Sequence, residues 1–229
     1  MNEVVKYNSQ MNEVAFRRFT AEELNMFFLF CTKSKENHDQ KITLTFEEIK
    51  KILNYKSRHI DRFVNGLEET YSKMLNLNIR LVSEDKMRIK RFNLFNYYEI
   101  FIDKKEIVIK TNQEFLYILN DLNSFFTRFE FDEFVKIKST YSKAMYRLLK
   151  QYRIVGKYKI SFEEFRRLLD VPDTYRISEL DRRVFNQIKK ELSNIFVGLN
   201  IEKVKKNGKV VAFVFTFQKE TVPNKKSFL

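Results

Sequence analysis

Along "LDRRVFNQIKKEL", residues 180–192, apolar and basic residues alternate at the spacing of a helix. At 100° per residue, Leu180, Val184, Ile188, Leu192 and then Ile195 gather on one face. Arg182, Arg183, Asn186 and Lys190 gather opposite, with Lys189 at the margin. An arginine fork matches the two acceptors of guanine, and an asparagine amide matches the donor and acceptor of adenine. This face therefore carries residue types that read base edges, although a plain solvated basic face has the same composition. Downstream, Lys205, Lys206 and Lys209 flank Asn207-Gly208, the strongest short hairpin signal because both residues tolerate positive φ. Ammonium groups at a hairpin tip suit backbone phosphate. Tyr175 and Arg176, in the segment "PDTYRIS" ahead of the helix, join this set. An earlier helical stretch, Ser57 to Asn76, offers Arg58, His59 and Arg62 near its amino end.

Residues for catalysis are scarce. His38 and His59 have no spacing that would share a metal, and the four glycines (66, 156, 198 and 208) never cluster into a phosphate-cradling loop. Cys31 sits on an apolar helix face and reads as a small core residue. Any of the eleven tyrosines could nick DNA, but that chemistry usually needs a metal held by a His-hydrophobic-His pair, which the sequence lacks. Glu163-Glu164 falls in the first turn of a helix, where acids complement the dipole. No catalytic residue, metal or cofactor is expected.

The elements that must position the basic residues are written twice. "LTFEEIKKILNY" at 44–55 returns as "ISFEEFRRLLDV" at 160–171, an offset of 116. Phe63, Leu67, Tyr71 and Met74 return as Val184, Ile188, Leu192 and Ile195 at 121, and Leu77-Asn78-Ile79 as Leu199-Asn200-Ile201 at 122. The growth in offset is the loop "PDTYRIS". Ordered similarity of this kind marks a duplicated unit. Each copy reads as helix, short strand ("KITLT", "KYKIS"), "FEE" helix, turn, longer helix and hairpin. The first helix opens on a Thr20/Glu23 capping box; its counterpart is expected over 132–153. The first-copy hairpin is expected from "NIRLV" and "KMRIKRFNLF", with extra strands in "EIFI" and "EIVIKT". This is the order of a winged helix-turn-helix, so the predicted fold is α+β, two tandem winged helix-turn-helix domains related by internal duplication. The link lies near 112–131, with "NQEFLYILNDL" helical and "FFTRFEF" extended, which sets the domains at 1–125 and 126–229.

Composition agrees with that reading. The chain has 229 residues, enough for two cores, and 43 Lys and Arg against 30 Asp and Glu leave +13. That surplus favours a polyanionic partner. The most apolar run, "LNMFFLF", is too short to span a membrane, and the opening "MNEVVKYNSQ" lacks the pattern of a signal peptide. One cysteine suits a reducing cytoplasm. The charge is unevenly spread: Ser139–Lys190 holds 13 Lys and Arg against 6 acids, whereas Ser57–Asn76 holds three of each. The second domain (126–229) is expected to be the principal reader of DNA sequence, and the first (1–125) to add weaker contacts or hold a partner.

The stretch "TYSKAMYRLLKQYRIVGKYKISFEEFRRLLDVPDTY" followed by "LDRRVFNQIKKELS" resembles the second domain of iteron-binding plasmid replication initiators. The opening "VVKYNSQMNEV" resembles the start of Gram-positive members. The resemblance implies a cytoplasmic, non-enzymatic initiator of theta replication. Its monomers would bind directly repeated iterons in double-stranded DNA, and its dimers, joined through the first domain near strands 87–111, an inverted-repeat operator of its own gene. It further implies recruitment of host proteins such as the helicase and the initiator ATPase, and places Arg182, Arg183 and Asn186 on the recognition helix. A winged-helix transcriptional regulator and a non-catalytic winged-helix scaffold share the same physical features; a rolling-circle nicking enzyme is disfavoured by the missing histidine pair.

Overall fold

The computed structural model describes residues 4–37, 41–53, 55–83, 85–120 and 126–221, and His38 lies outside them. The chain divides into two compact units, Met1–Thr140 and Tyr141–Leu229. The break falls later than the expected 125/126 because the strand at 126–130 belongs to the first unit.

The first unit opens with β1 (Val4–Asn8) and a 3-10 turn (Ser9–Glu13), followed by α1 (Ala21–Asn37), β2 (Lys41–Thr45), α2 (Phe46–Ile52) and α3 (Ile60–Leu75). Next come β3 (Asn78–Val82), β4 (Ile89–Asn93), β5 (Phe95–Phe101), β6 (Glu106–Thr111), α4 (Gln113–Asn120), β7 (Phe126–Glu130) and α5 (Phe131–Lys136). β1 pairs antiparallel with β7, Val4 opposite Glu130 and Asn8 opposite Phe126. A buried polar knot fastens that ribbon to the turn: the Tyr7 hydroxyl donates to Asn12 Oδ1 (2.9 Å) and Asn12 Nδ2 to Thr127 Oγ1 (2.8 Å). Around it lies an aromatic core in which Phe28 meets Phe27, Phe129 and Phe134 at ring-centre distances of 5.0, 5.6 and 4.9 Å. Cys31 is buried in the same helix.

Local signals account for the helix starts. Thr20 N–H donates to Glu23 Oε2 (2.8 Å) while Glu23 N–H donates to Thr20 Oγ1 (3.2 Å), the capping box read from sequence. The repeated "FEE" phrase has the same origin. Thr45 caps α2 through Glu48 N–H (3.2 Å), and Ser161 caps the corresponding second-unit helix through Glu164 N–H (3.1 Å).

The second unit comprises α6 (Thr140–Gln151, which opens at the boundary), β8 (Lys157–Ser161) and α7 (Phe162–Leu169). A helix over 177–192 follows, in three parts: α8 (Ile177–Glu179), a π-helical turn (Leu180–Phe185) and α9 (Asn186–Leu192). The wing is β9 (Asn200–Lys206) and β10 (Lys209–Thr216), and the sheet order is β8-β10-β9. Asn207 and Gly208 turn the wing at φ 52° and 76°.

Three expectations need correction. The helix expected over 132–153 is two helices, because Ile137 is extended (φ −70°, ψ 127°) and the Ser139-Thr140 pair, residue types better suited to helix starts than interiors, opens α6. β3 and β4 do form a hairpin, but it stands as its own two-stranded sheet; β5 and β6 supply the partners of β2, in the order β2-β6-β5. The strands that correspond to the wing are therefore the later pair, and β3–β4 is an added ribbon. Ile195 lies beyond the end of α9, and Phe196, 3% exposed, takes the core position instead.

Candidate nucleic-acid interface

The 177–192 helix buries Leu180, Val184, Phe185, Ile188 and Leu192. Four of these are spaced four apart, and in an ideal α-helix such a row drifts by about 40° per step. The π-helical turn packs more residues per turn and brings the row back into line, so all four stay fully buried. The opposite face leaves Arg182, Arg183, Asn186, Lys189 and Lys190 exposed. Asp181, beside this face, is engaged by Lys203 Nζ of β9 at 2.5 Å, which ties the helix to the wing.

Arg183 is held in place. Its guanidinium lies 5.2 Å from the Tyr175 ring centre, Nη1 donates to the Tyr175 hydroxyl (3.3 Å), and Nε stands 3.9 Å from Glu179 Oε1. Tyr175 is positioned in turn by Arg166, a residue to which no sequence pattern points. Arg166 stacks 4.8 Å from the Phe162 ring, its Nη1 donates to Pro172 O (2.5 Å) and its Nη2 to Tyr175 O. The turn "PDTY" is thus clasped to α7 from below. Behind Tyr175, Tyr141 has its phenol pushed up to about 12 by burial, by the charge of Tyr175 and by a hydrogen bond with it. At the helix start, exposed Arg176 donates its backbone N–H to Glu179 Oε2 (3.1 Å).

On the wing, Lys205, Lys206 and Lys209 are exposed, and Lys206 stands directly opposite Lys209 across the strands. Like charges placed opposite one another on a ribbon destabilise it, an arrangement suited to an anion at the tip. In the first unit, Arg58 and His59 precede α3 and Arg62 lies in its first turn, all exposed. The buried Phe63 and Leu67 occupy the places of Val184 and Ile188. In the same register, Arg62 and Asn65 answer to Arg183 and Asn186. Asn65 is exposed, and only the matched core offset of 121 sets it beside Asn186. Among the described residues, no three His, Cys, Asp or Glu side chains converge on a metal site, and no helix is long and apolar enough to cross a membrane.

Comparison with known proteins decides the family. The model described as "Initiator Replication protein, WH1" matches residues 4–150, and "Initiator Rep protein, WH2" matches residues 161–217. The chain belongs to the initiator replication protein family. The "Probable replication protein rep" of Bifidobacterium longum (strain NCC 2705) is 35% identical over 225 residues, 97% of this chain and 75% of that protein. Among solved structures, the Pi initiator protein, crystallised in complex with iteron DNA, aligns with a TM-score of 0.71 at 14% identity, over 96% of this chain and 99% of that one. Domains 2 and 3 of RctB align at 0.53 and 15% identity, over 89% and 84%. At these identities the likeness is one of fold: this initiator is two winged-helix domains, WH1 and WH2, with the basic helix and lysine-tipped wing both in WH2.

Proposed function

We propose that this initiator binds repeated double-stranded sites (iterons) at a plasmid origin and so starts theta replication, and that it does so without catalysing a reaction. The observation that carries the reading is the WH2 helix, whose basic and amide side chains stay exposed while its apolar row is fully buried. A helix of that kind fits the major groove, where Arg182, Arg183 and Asn186 have the donors and acceptors to read base edges, Lys189 and Lys190 follow the phosphates, and the wing lysines hold the adjacent backbone. Tyr175 acts as a positioning residue: it stacks and hydrogen-bonds Arg183, so the guanidinium is oriented before DNA arrives. Arg176 lies at the amino end of the helix, where phosphate is favoured. WH1 adds a second, weaker contact through Arg58, His59 and Arg62, and carries self-association, by which a dimer represses its own gene at an inverted repeat. Host helicase and initiator ATPase are the expected protein partners, in the cytoplasm.

Support comes from family membership, from the likeness in fold to the Pi initiator protein, itself crystallised with iteron DNA, and from the net charge of +13. Footprinting on the DNA that flanks the gene tests the proposal. Protection of direct repeats beside an A·T-rich tract is the expected result. Protection of a promoter operator alone would identify a transcriptional regulator, and no sequence preference would leave a scaffold.

A further inference from the structure

The β3–β4 ribbon stands apart from the three-stranded sheet and carries side chains that nothing in the fold uses. Its strands pair Arg80 with Arg91 and, one position outward on the same face, Val82 with Ile89. All four are exposed, Val82 at 44% and Ile89 at 64%. Beyond them Met87 projects at 83%, between exposed Lys86 and Arg88. Lys90 is engaged by Glu114 (2.6 Å), but none of the described ion pairs engages Arg80, Lys86, Arg88 or Arg91. Two arginines facing each other across an exposed ribbon repel, so the free protein gains nothing from them. Of the two acids in the ribbon, Glu84 lies outside the described residues, and Asp85 is spent on the turn.

Hydrogen bonds among the described residues cross that turn. Asp85 Oδ1 accepts from the Ser83 hydroxyl and from Met87 N–H (3.0 Å), Ser83 Oγ accepts from Arg88 N–H (3.0 Å), and Lys86 N–H donates to Ser83 O (2.9 Å). These bonds tie Met87 and Arg88, through their backbone N–H groups, to Asp85 and Ser83. The WH2 wing uses the same device, Lys206 opposite Lys209 at its tip, but its turn, Asn-Gly, carries no apolar side chain.

We infer that the β3–β4 ribbon of WH1 is a further DNA-binding arm: Arg80, Arg88 and Arg91 hold phosphates on either side of the minor groove of duplex DNA, and Met87, backed by Val82 and Ile89, enters the groove as an apolar wedge. Four cations with no acid among the described ion pairs point to a polyanion. The minor groove, about 6 Å wide, admits a hairpin tip rather than the whole ribbon. Methionine and isoleucine belong to the side chains that part adjacent base steps and kink the duplex, most readily where stacking is weak. The inference rests on the DNA-binding reading above and adds to it a site that distorts rather than reads.

The test uses the full-length protein, an A·T-rich and a G·C-rich duplex of equal length, and 2-aminopurine as a reporter of unstacking. Replacing all three arginines (Arg80→Gln, Arg88→Gln, Arg91→Gln) should make the salt dependence of binding shallower by about 0.9 per lost phosphate contact on both duplexes, and the Lys triple variant should restore it. Met87→Ser should keep the salt slope and lose the fluorescence rise, most clearly on the A·T-rich duplex. The inference fails if both variants match wild type, or if sedimentation shows weakened self-association with DNA binding intact, since the ribbon would then be a surface for a second copy of the chain. A wild-type protein that does not prefer its origin repeats over scrambled DNA refutes the proposed function instead, and the slope experiment still reports on the ribbon.

Discussion

Arg183 shows how much of the candidate site was legible from residue types and how much was not. Its place on the polar face of a helix follows from the spacing of Leu180, Val184 and Ile188 alone. The stacking of its guanidinium on Tyr175, and the grip of Arg166 on the turn beneath, join residues from three segments and leave no periodic trace in sequence. Because Arg183 and Asn186 are exposed, Arg183→Ala and Asn186→Ala should each cost about 1–3 kcal/mol against the cognate repeat, with a smaller loss on random DNA and an unchanged melting temperature. Parallel titrations on cognate and scrambled duplexes measure the ratio; an unchanged ratio in both variants would remove this helix as the reader. Tyr175→Phe keeps the ring and loses the hydroxyl bond, so it should cost less cognate affinity than Tyr175→Ala. The Tyr141 phenol gives a pH signature. With its folded value at about 12 against 10.0 for the free side chain, the folded state holds the proton more tightly, so its contribution to stability is intact below pH 10 and declines from there toward 12. Thermal melts across that range should show a smaller loss for Tyr141→Phe than for wild type.

Elements with local signals were readable, and those defined by distant partners were not. Asn207-Gly208 announced the wing, and Thr45 and Ser161 with their glutamates announced α2 and α7. Alternation in "NIRLV" and "EIVIKT" marks both as strands, yet nothing in a period of two says which will lie beside β2. Ile107 and Ile109 of β6, both buried, pair with Leu44 and Ile42, and so claim that edge. The wing should behave as a phosphate clamp. Lys206→Ala should weaken cognate and random DNA alike and make the salt slope shallower by about 0.9. A variant that lost only cognate affinity would show that the wing reads bases. The tight corner at Gly156, φ 73°, is a different constraint: a Cβ there would stand 2.6 Å from the carbonyl oxygen of Phe217, so Gly156→Ala should lower the melting temperature of WH2 while leaving its exposed basic face unaltered.

At the scale of the whole molecule, duplication and unequal charge were visible in the sequence, but the domain break was not, because a strand-forming run such as "FFTRFEF" does not say which unit it completes. β1 settles that by pairing with β7. A fragment starting at residue 126 should therefore carry an unpaired strand, with Phe129, Phe131 and Phe134 stripped of their cover, and should aggregate. A fragment starting at 138 should stay monomeric by light scattering and keep cognate binding. The same pairing governs how the protein is made. Val4 leaves the ribosome early, but its partner Glu130 follows on the order of ten seconds later at ordinary elongation rates. Through that interval the aromatic core of WH1 lacks Phe129 and Phe134, and the nascent chain must wait, its phenylalanines unsheltered, for the strand that closes its first domain.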